Sequence, residues 1–173
     1  SCAEAADGYQ RRNKHAGYRM IQELPDNSCF FPVGMKASII KHLAEQDTAL
    51  VEQNSSLTLS GRQFNTFIQG KHTAGFEFSE LCGADSSYLD YLKLSEQYNT
   101  VFISNIRSQD FASRNSMLRF VWLLDVLYDK KISLYATSEE SLTEMVEKYF
   151  SVNDTERCLS RLSEMRHSLH LKA

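Results

Sequence analysis

Arg161 is the residue of this sequence that could most directly act on a phosphate. It lies near the carboxy terminus in the setting Leu-Ser-Arg-Leu. A guanidinium is planar and permanently charged, and its fork of N–H donors fits phosphate oxygens. The pattern around it predicts a helix, on which Arg161 falls beside the apolar seam and within reach of Glu164. From spacing alone, an ion pair within the helix is favoured over a phosphate contact.

A phosphate loop would be the clearest sign of nucleotide binding, and this sequence contains none. The motif requires Gly-x-x-x-x-Gly-Lys-Ser/Thr, because backbone amides wrap the phosphates and the hydroxyl reaches magnesium. The nearest approach is Gly70-Lys71-His72-Thr73, which has Asn65 in place of the first glycine and His72 in place of the hydroxyl. It also falls between strands of a predicted hairpin, with no helix after it. We therefore expect no nucleotide binding by this chain alone.

Other catalytic or metal-binding patterns are weaker still. Among the five histidines only His167 and His170 have ligand spacing, and a solvated tail explains that pair better than a metal site. The four cysteines contain no Cys-x-x-Cys pair, which argues against structural zinc and a disulfide framework and favours a reducing, cytoplasmic compartment. We expect no cofactor or metal site in this chain and no self-contained catalytic centre.

Composition favours one folded unit. The chain has 173 residues, 42% of them hydrophobic and 24% charged, which is enough for a single core. No apolar run is long enough to span a membrane, and no secretory signal is visible. The net charge of -3 gives no electrostatic reason to expect nucleic acid as a partner. We expect a flexible lead-in over residues 1–16 and a single α/β domain over residues 17–173.

The first part of this domain, residues 17–82, is expected to be rich in hairpins. Short runs of β-forming residues are separated there by glycine, proline and asparagine. The predicted elements are a hairpin of Tyr18–Leu24 with Cys29–Gly34, a helix over Met35–Gln46, and two or three antiparallel strands between Ser55 and Phe78.

Residues 83–173 are expected to form a parallel unit followed by a helical terminus. A strand over Thr100–Asn105, a helix over Ser113–Lys130 and a strand over Ile132–Thr137 follow one another with short joints. This order is typical of a right-handed βαβ crossover in a parallel sheet. The flanking helices are predicted over Ser86–Gln97, with Tyr88, Leu89, Tyr91 and Leu92 on the buried side, and from about Asn153 to Leu169.

Trp122, the only tryptophan, lies away from the main apolar stripe of the long helix. It shares its strip with Asp125 and Asp129. A crossover helix that is covered on two sides explains such a residue, and a contact surface for another domain is the alternative.

Three segments of the sequence form a recognisable pattern: Phe76–Ile106, Arg119–Glu139 and Arg157–Met165. They resemble the carboxy-terminal half of the ZapE-type ATPases, a family with bacterial cell-division and mitochondrial members. The residues that carry the likeness are Phe78, Leu81-Cys82, Asp90-Tyr91-Leu92, Arg119-Phe120, Leu127-Tyr128-Asp129 and Ser160–Met165, with Tyr18-Arg19 and Gly61-Arg62 where the family has them.

The chain departs from the family at two places. After the Thr100–Ile103 strand the family tends to have an acidic residue and a proline, where this chain has Ser104-Asn105-Ile106-Arg107. A pair of arginines before Phe120 is reduced to Leu118-Arg119. Both departures fall near the side on which nucleotide is expected.

The resemblance implies that the parallel unit is of the P-loop ATPase type and that the full-length parent uses ATP and Mg²⁺. The phosphate loop would lie upstream of this chain, which opens without methionine and is expected to be a piece of a longer protein. Arg161 is then a candidate arginine finger or sensor, and Arg119 is a second candidate. Such fingers are worth a factor of about 10³–10⁵ in rate.

The resemblance also implies partners and a function. The partners would be the amino-terminal ATPase half of the same protein and either another protein or further copies of the chain. The chain would be inactive alone and would support ATP hydrolysis and partner coupling, in cell division or protein quality control. The alternative is an autonomous interaction module that has lost ATPase function, a reading motivated by the altered stretch from Ser104 to Arg107.

Overall fold

The computed structural model describes residues 30–83 and 85–168. The predicted lead-in and the predicted strand Tyr18–Leu24 lie outside the described residues. The strands are β1 Phe30–Pro32, β2 Val51–Leu59, β3 Arg62–Gln69, β4 Thr73–Glu77, β5 Thr100–Ile106 and β6 Ser133–Ser138. The α-helices are α1 Lys36–Gln46, α2 Phe78–Leu81, α3 Tyr88–Gln97, α4 Arg114–Asp129, α5 Leu142–Tyr149 and α6 Val152–Ser168, with 3-10 turns at Val33–Met35 and Ser108–Ala112.

The six strands form one mixed sheet in the order β1-β6-β5-β4-β3-β2. The pairs β1–β6, β6–β5 and β5–β4 are parallel, whereas the pairs β4–β3 and β3–β2 are antiparallel. This confirms the predicted α/β class, with its parallel βαβ unit, antiparallel hairpin region and helical terminus. The segment Cys29–Gly34 does contain a strand, and β1 pairs with β6 in parallel, with Phe31 opposite Thr137. Its predicted hairpin partner lies outside the described residues.

The hairpin of β2 and β3 is closed by a two-residue turn at Ser60-Gly61. Both residues have positive φ, 48° and 77°, which matches the right-handed twist of paired strands. The turn places Leu59 opposite Arg62. Strand β2 begins at Val51, four residues before the predicted start, because its exposed polar residues give no hydrophobic signal.

Helix α4 is the crossover between β5 and β6, and Phe120, Val121, Leu124 and Leu127 on its apolar stripe are buried. Phe120 is fully buried and lies 5.4 Å, centroid to centroid, from the ring of Phe111 in the second 3-10 turn. Phe78 and Phe150 complete this aromatic cluster with edge-on contacts to Phe111 at 5.5 and 5.1 Å. Helix α4 also packs against α3 and α6, so it is covered on two sides, and Trp122 is half-buried.

One prediction about the helices was wrong in part, and one helix was not predicted. In α3, Tyr88 and Leu89 are exposed, whereas Asp90, Tyr91 and Leu94 are buried. The reason is that a polar residue, Asp90, occupies the buried face, so a count of apolar residues misplaces that face. Helix α5 was not predicted as a separate element, because it is only eight residues long.

Candidate functional site

Arg161 lies on the flank of α6, beside the seam that buries Cys158, Leu162 and Met165. Its Nη1 donates a hydrogen bond to Oδ1 of Asp125 on α4. Its guanidinium carbon lies 5.3 Å from the ring centroid of Tyr128, also on α4, within the range of a cation–π contact. The ion pair is therefore between helices, where spacing alone favoured a partner in the same helix.

Asp125 is shared by a second arginine. Its Oδ2 lies 3.5 Å from Nη2 of Arg157, which is also 3.4 Å from Oδ1 of Asp154. Burial raises the pKa of Asp125 above its ordinary value, and the positive charges of Arg161 and Arg157 oppose this rise. The carboxylate thus joins α4 to two positions on α6.

Arg119 makes a different kind of contact. Its Nε donates to the backbone carbonyl of Ser86 at 3.2 Å, and its Nη1 donates to that of Cys82 at 3.5 Å. Both carbonyls belong to the connection between α2 and α3. The hydroxyl of Tyr91 donates to the carbonyl of Leu81, at 2.8 Å, in the same region. Arg119 therefore holds the α2–α3 connection to α4.

The two candidate arginines do not meet in one site. Arg119 and Asp125, the acceptor of Arg161, are six positions apart on α4. At 100° per residue they point about 120° apart around the helix axis. Arg119 contacts the α2–α3 connection and Arg161 contacts the α4–α6 interface, so the roles of Arg119 and Arg161 toward a nucleotide stay predictions.

The segment Gly70–Thr73 lies between two strands, as the sequence predicts. It connects the antiparallel strands β3 and β4. The amides of Lys71 and His72 donate to the carboxylate of Asp47, at 3.2 and 2.9 Å. The amides that would cradle a phosphate are thus bound to an internal anion. Sequence reasoning missed Asp47, because a single acidic residue after a helix is too common to be a signal.

Burial and hydrogen bonding act in opposite directions on Asp47. Burial raises its pKa, but hydrogen bonds from the backbone of His72 and Lys71, the hydroxyl of Thr73 and the backbone of Ala49 outweigh burial and leave the pKa below its ordinary value. Asp47 is therefore a charged, buried anchor for this turn at neutral pH.

The stretch that departs from the family forms a bulge at the carboxyl end of β5. Asn105 has a φ of 64°, and its amide donates to Oγ1 of Thr137 on β6 at 2.8 Å. The amide of Arg107 donates to Asp110 at 2.9 Å, and Ser108 donates to Glu140 at 2.8 Å. Ligands of parallel α/β proteins bind at this edge of the sheet. In this chain these polar groups pair with one another.

Several residues that carry the family likeness contact one another. Nε of Arg62 lies 3.6 Å from Oδ2 of Asp90, which accepts the amide of Ser87 at 2.8 Å and so fixes the start of α3. The rings of Phe78 and Phe120 lie 5.7 Å apart. These blocks therefore support the fold, whereas Arg161 and Tyr128 meet in a second place, between α4 and α6.

No fitting magnesium site appears in the described part of the chain. Within residues 30–83 and 85–168, no group of three or more His, Cys, Asp or Glu side chains could hold a metal ion. Asp125 and Asp154, beside Arg161 and Arg157, are themselves paired with those arginines. Over the same residues, no helix is both long and apolar enough to cross a membrane.

Comparison with known proteins agrees with the family resemblance of the sequence. The family described as AFG1-like ATPase matches residues 15–173. The cell division protein ZapE of Escherichia coli, in each of two strains, is 28% identical over 70% of this chain and 32% of its own length. An uncharacterized protein of Schizosaccharomyces pombe is 24% identical over 95% of this chain and 41% of its own length. The chain thus spans less than half the length of these relatives. No solved structure matches it significantly.

Proposed function

Because the chain belongs to the AFG1-like ATPase family, we propose that it forms the carboxy-terminal portion of a ZapE-like ATPase. In this proposal it supports ATP hydrolysis and partner coupling by the full-length protein. The nucleotide would be bound by parts of the protein that this chain does not include, since the turn most like a phosphate loop is bound to Asp47. A ZapE relative is named a cell division protein, and we propose cell division as the process, with protein quality control as the alternative.

The contribution that we propose for the chain is the positive charge of Arg161. The observation that carries this proposal is that Asp125 holds Arg161 at the α4–α6 interface while the arginine stays partly exposed. Of the Arg161 side chain, 24% is accessible. Phosphoryl transfer develops negative charge on the phosphate oxygens, and an arginine from a neighbouring subunit can stabilise that charge. Arg119 is the weaker candidate, because its guanidinium is bound to the carbonyls of Ser86 and Cys82.

The test is Arg161→Ala in the full-length protein, with Arg157→Ala as the matched control. Both arginines lie on α6 and contact Asp125, so both variants lose a contact to the same acceptor. We expect Arg161→Ala to lower kcat by about 10³ with nucleotide affinity retained, as for an arginine finger. Arg157→Ala should turn over like the wild type. Normal turnover by Arg161→Ala, or an equal loss in both variants, would contradict the proposal.

A second experiment asks whether the chain binds nucleotide by itself. Isothermal titration calorimetry of the isolated chain with ATP and Mg²⁺ should show no binding, because the Lys71 and His72 amides are bound to Asp47. A micromolar affinity would show that the nucleotide site lies within this chain.

An autonomous interaction module is the second candidate function. The observation that favours it is the edge at the carboxyl ends of β5 and β6, where the amides of Asn105 and Arg107 and the hydroxyl of Ser108 donate to acceptors within the chain. A module of this kind would bind its partner equally well in the presence and absence of ATP. Unchanged turnover in Arg161→Ala together with nucleotide-independent partner binding would support it.

A further inference from the structure

One carboxylate on α4 sets the place of Arg161. Asp125 binds Nη1 of Arg161 through Oδ1 and approaches Nη2 of Arg157 through Oδ2, at 3.5 Å. Only 20% of the Asp125 side chain is exposed, so water and salt screen these contacts less than they would at the surface. The position of the Arg161 guanidinium is thus determined across a helix interface, by a residue 36 positions away in sequence.

The ring of Tyr128 contacts a second side of the Arg161 guanidinium. This ring lies beneath Arg161, at 5.3 Å from the guanidinium carbon, and the nearby carboxylate of Glu164 on α6 raises the pKa of the Tyr128 hydroxyl. A carboxylate and an aromatic face together restrict the rotation of a long side chain that is otherwise free.

The contact with Asp125 leaves Arg161 able to bind a second acceptor. A guanidinium carries five N–H donors, and the hydrogen bond to Asp125 uses one. Arg157 differs in this respect, because 46% of its side chain is exposed and it is divided between Asp125 and Asp154. Of the two arginines, Arg161 has the better-defined orientation.

We propose that Asp125 is a positioning residue for Arg161, holding the guanidinium in the orientation from which it reaches a phosphate on a neighbouring subunit. The inference rests on the proposed function of Arg161. A side chain that is already oriented loses less conformational freedom when it engages its target, and the gain appears in turnover. Asp125 itself touches neither nucleotide nor reacting atoms in this proposal.

The first test is Asp125→Asn in the full-length protein, which keeps the side-chain shape and removes the charge. We expect kcat to fall by about tenfold, with the Kd for ATP unchanged, because orientation acts on turnover and Arg161 is not needed for binding. Asp129→Asn is the matched control, since Asp129 lies one turn along the same helix and is exposed; its turnover should equal that of the wild type. Asp125→Glu keeps the carboxylate and should lie between wild type and Asp125→Asn. It also tests the proposal if Asp125→Asn does not fold.

The double variant Asp125→Asn/Arg161→Ala separates positioning from a general structural effect. It should turn over no more slowly than Arg161→Ala alone, because Asp125 acts through Arg161. Thermal unfolding of each variant shows that the comparison is between folded proteins.

The outcomes distinguish the two proposals. If Arg161→Ala is slow but Asp125→Asn retains wild-type turnover or exceeds it, the positioning role is overturned and the proposed function stands. A double variant slower than Arg161→Ala also overturns positioning. If Arg161→Ala turns over normally, the proposed function fails and the positioning role falls with it.

Discussion

The carboxylate of Asp47, just after α1, lies 2.9 Å from the backbone nitrogen of His72 in the turn between β3 and β4. A second amide, that of Lys71, donates to the same carboxylate at 3.2 Å. Charge-assisted hydrogen bonds of this kind are shorter and stronger than neutral ones. They join the end of a helix to a turn 25 residues later in the sequence.

Asp47 makes folding stability depend on acid pH. Its folded-state pKa lies below the ordinary value, so it contributes stability that is fully present above the unfolded pKa, about 3.9, and is lost as pH falls through the folded pKa. Asp47→Asn should lower the free energy of unfolding by about 2 kcal/mol at pH 7. Urea unfolding at pH 7 and pH 3 measures both effects, and the difference between wild type and variant should shrink at pH 3. A difference that is equal at both pH values would show that the charge of Asp47 is not the cause.

Gly70 is required by the same contact. A Cβ at this position would lie 2.3 Å from Oδ2 of Asp47, so a side chain cannot be added without displacing the carboxylate. Gly70→Ala should lower the free energy of unfolding by about 2 kcal/mol or more. Gly34→Ala is the matched control, because nothing lies within 4 Å of its added Cβ; its effect should stay within about 0.5 kcal/mol. Equal effects in the two variants would contradict the steric argument.

Asn105 is suited to the backbone bulge at the end of β5. Its φ of 64° is in the left-handed region, which asparagine tolerates better than branched residues do. Asn105→Val should therefore destabilise the chain by about 1–3 kcal/mol, whereas Asn105→Gly should be close to neutral. Thermal or urea unfolding of the pair provides the measurement. A destabilised glycine variant would show that the side chain of Asn105, not its backbone, is what matters.

The sequence predicts well those helices and strands that are determined by residue patterns within a few positions. The apolar stripe of α4 and the β-forming runs of β5 and β6 define the parallel unit, because periodicity and strand propensity act within a few residues. Strand β2 and the buried face of α3 are harder to predict. In β2 the first six residues are exposed, and in α3 the buried Asp90 interrupts the apolar pattern.

The candidate site depends on pairings that no local pattern contains. Arg161 stood out through its residue type and setting, but its partner Asp125 is 36 residues away and looks like an ordinary surface charge of α4. Asp47 and His72 are 25 residues apart and are brought together by the sheet. Only the packing of α6 on α4, and of the β3–β4 turn on α1, decides which charges meet.

Arg119 offers a last test. It either holds the α2–α3 connection or serves as a second arginine for a nucleotide, and these two roles predict different results in the isolated chain. If it holds the α2–α3 connection through the carbonyls of Ser86 and Cys82, then Arg119→Ala should lower the free energy of unfolding by about 2 kcal/mol. Burial raises the pKa of the nearby Cys82 thiol to about 12, so the folded wild type should react slowly with a thiol reagent at pH 8. Loosening the connection should speed that reaction.

The measurement uses a background in which Cys2, Cys29 and Cys158 are replaced by serine, so that only Cys82 reports. Arg114→Ala, at the exposed start of the same helix, is the control and should leave both stability and labelling unchanged. An Arg119→Ala chain as stable and as protected as wild type would show that the two carbonyl contacts contribute nothing to the fold. Arg119 would then be available as the second arginine for a nucleotide.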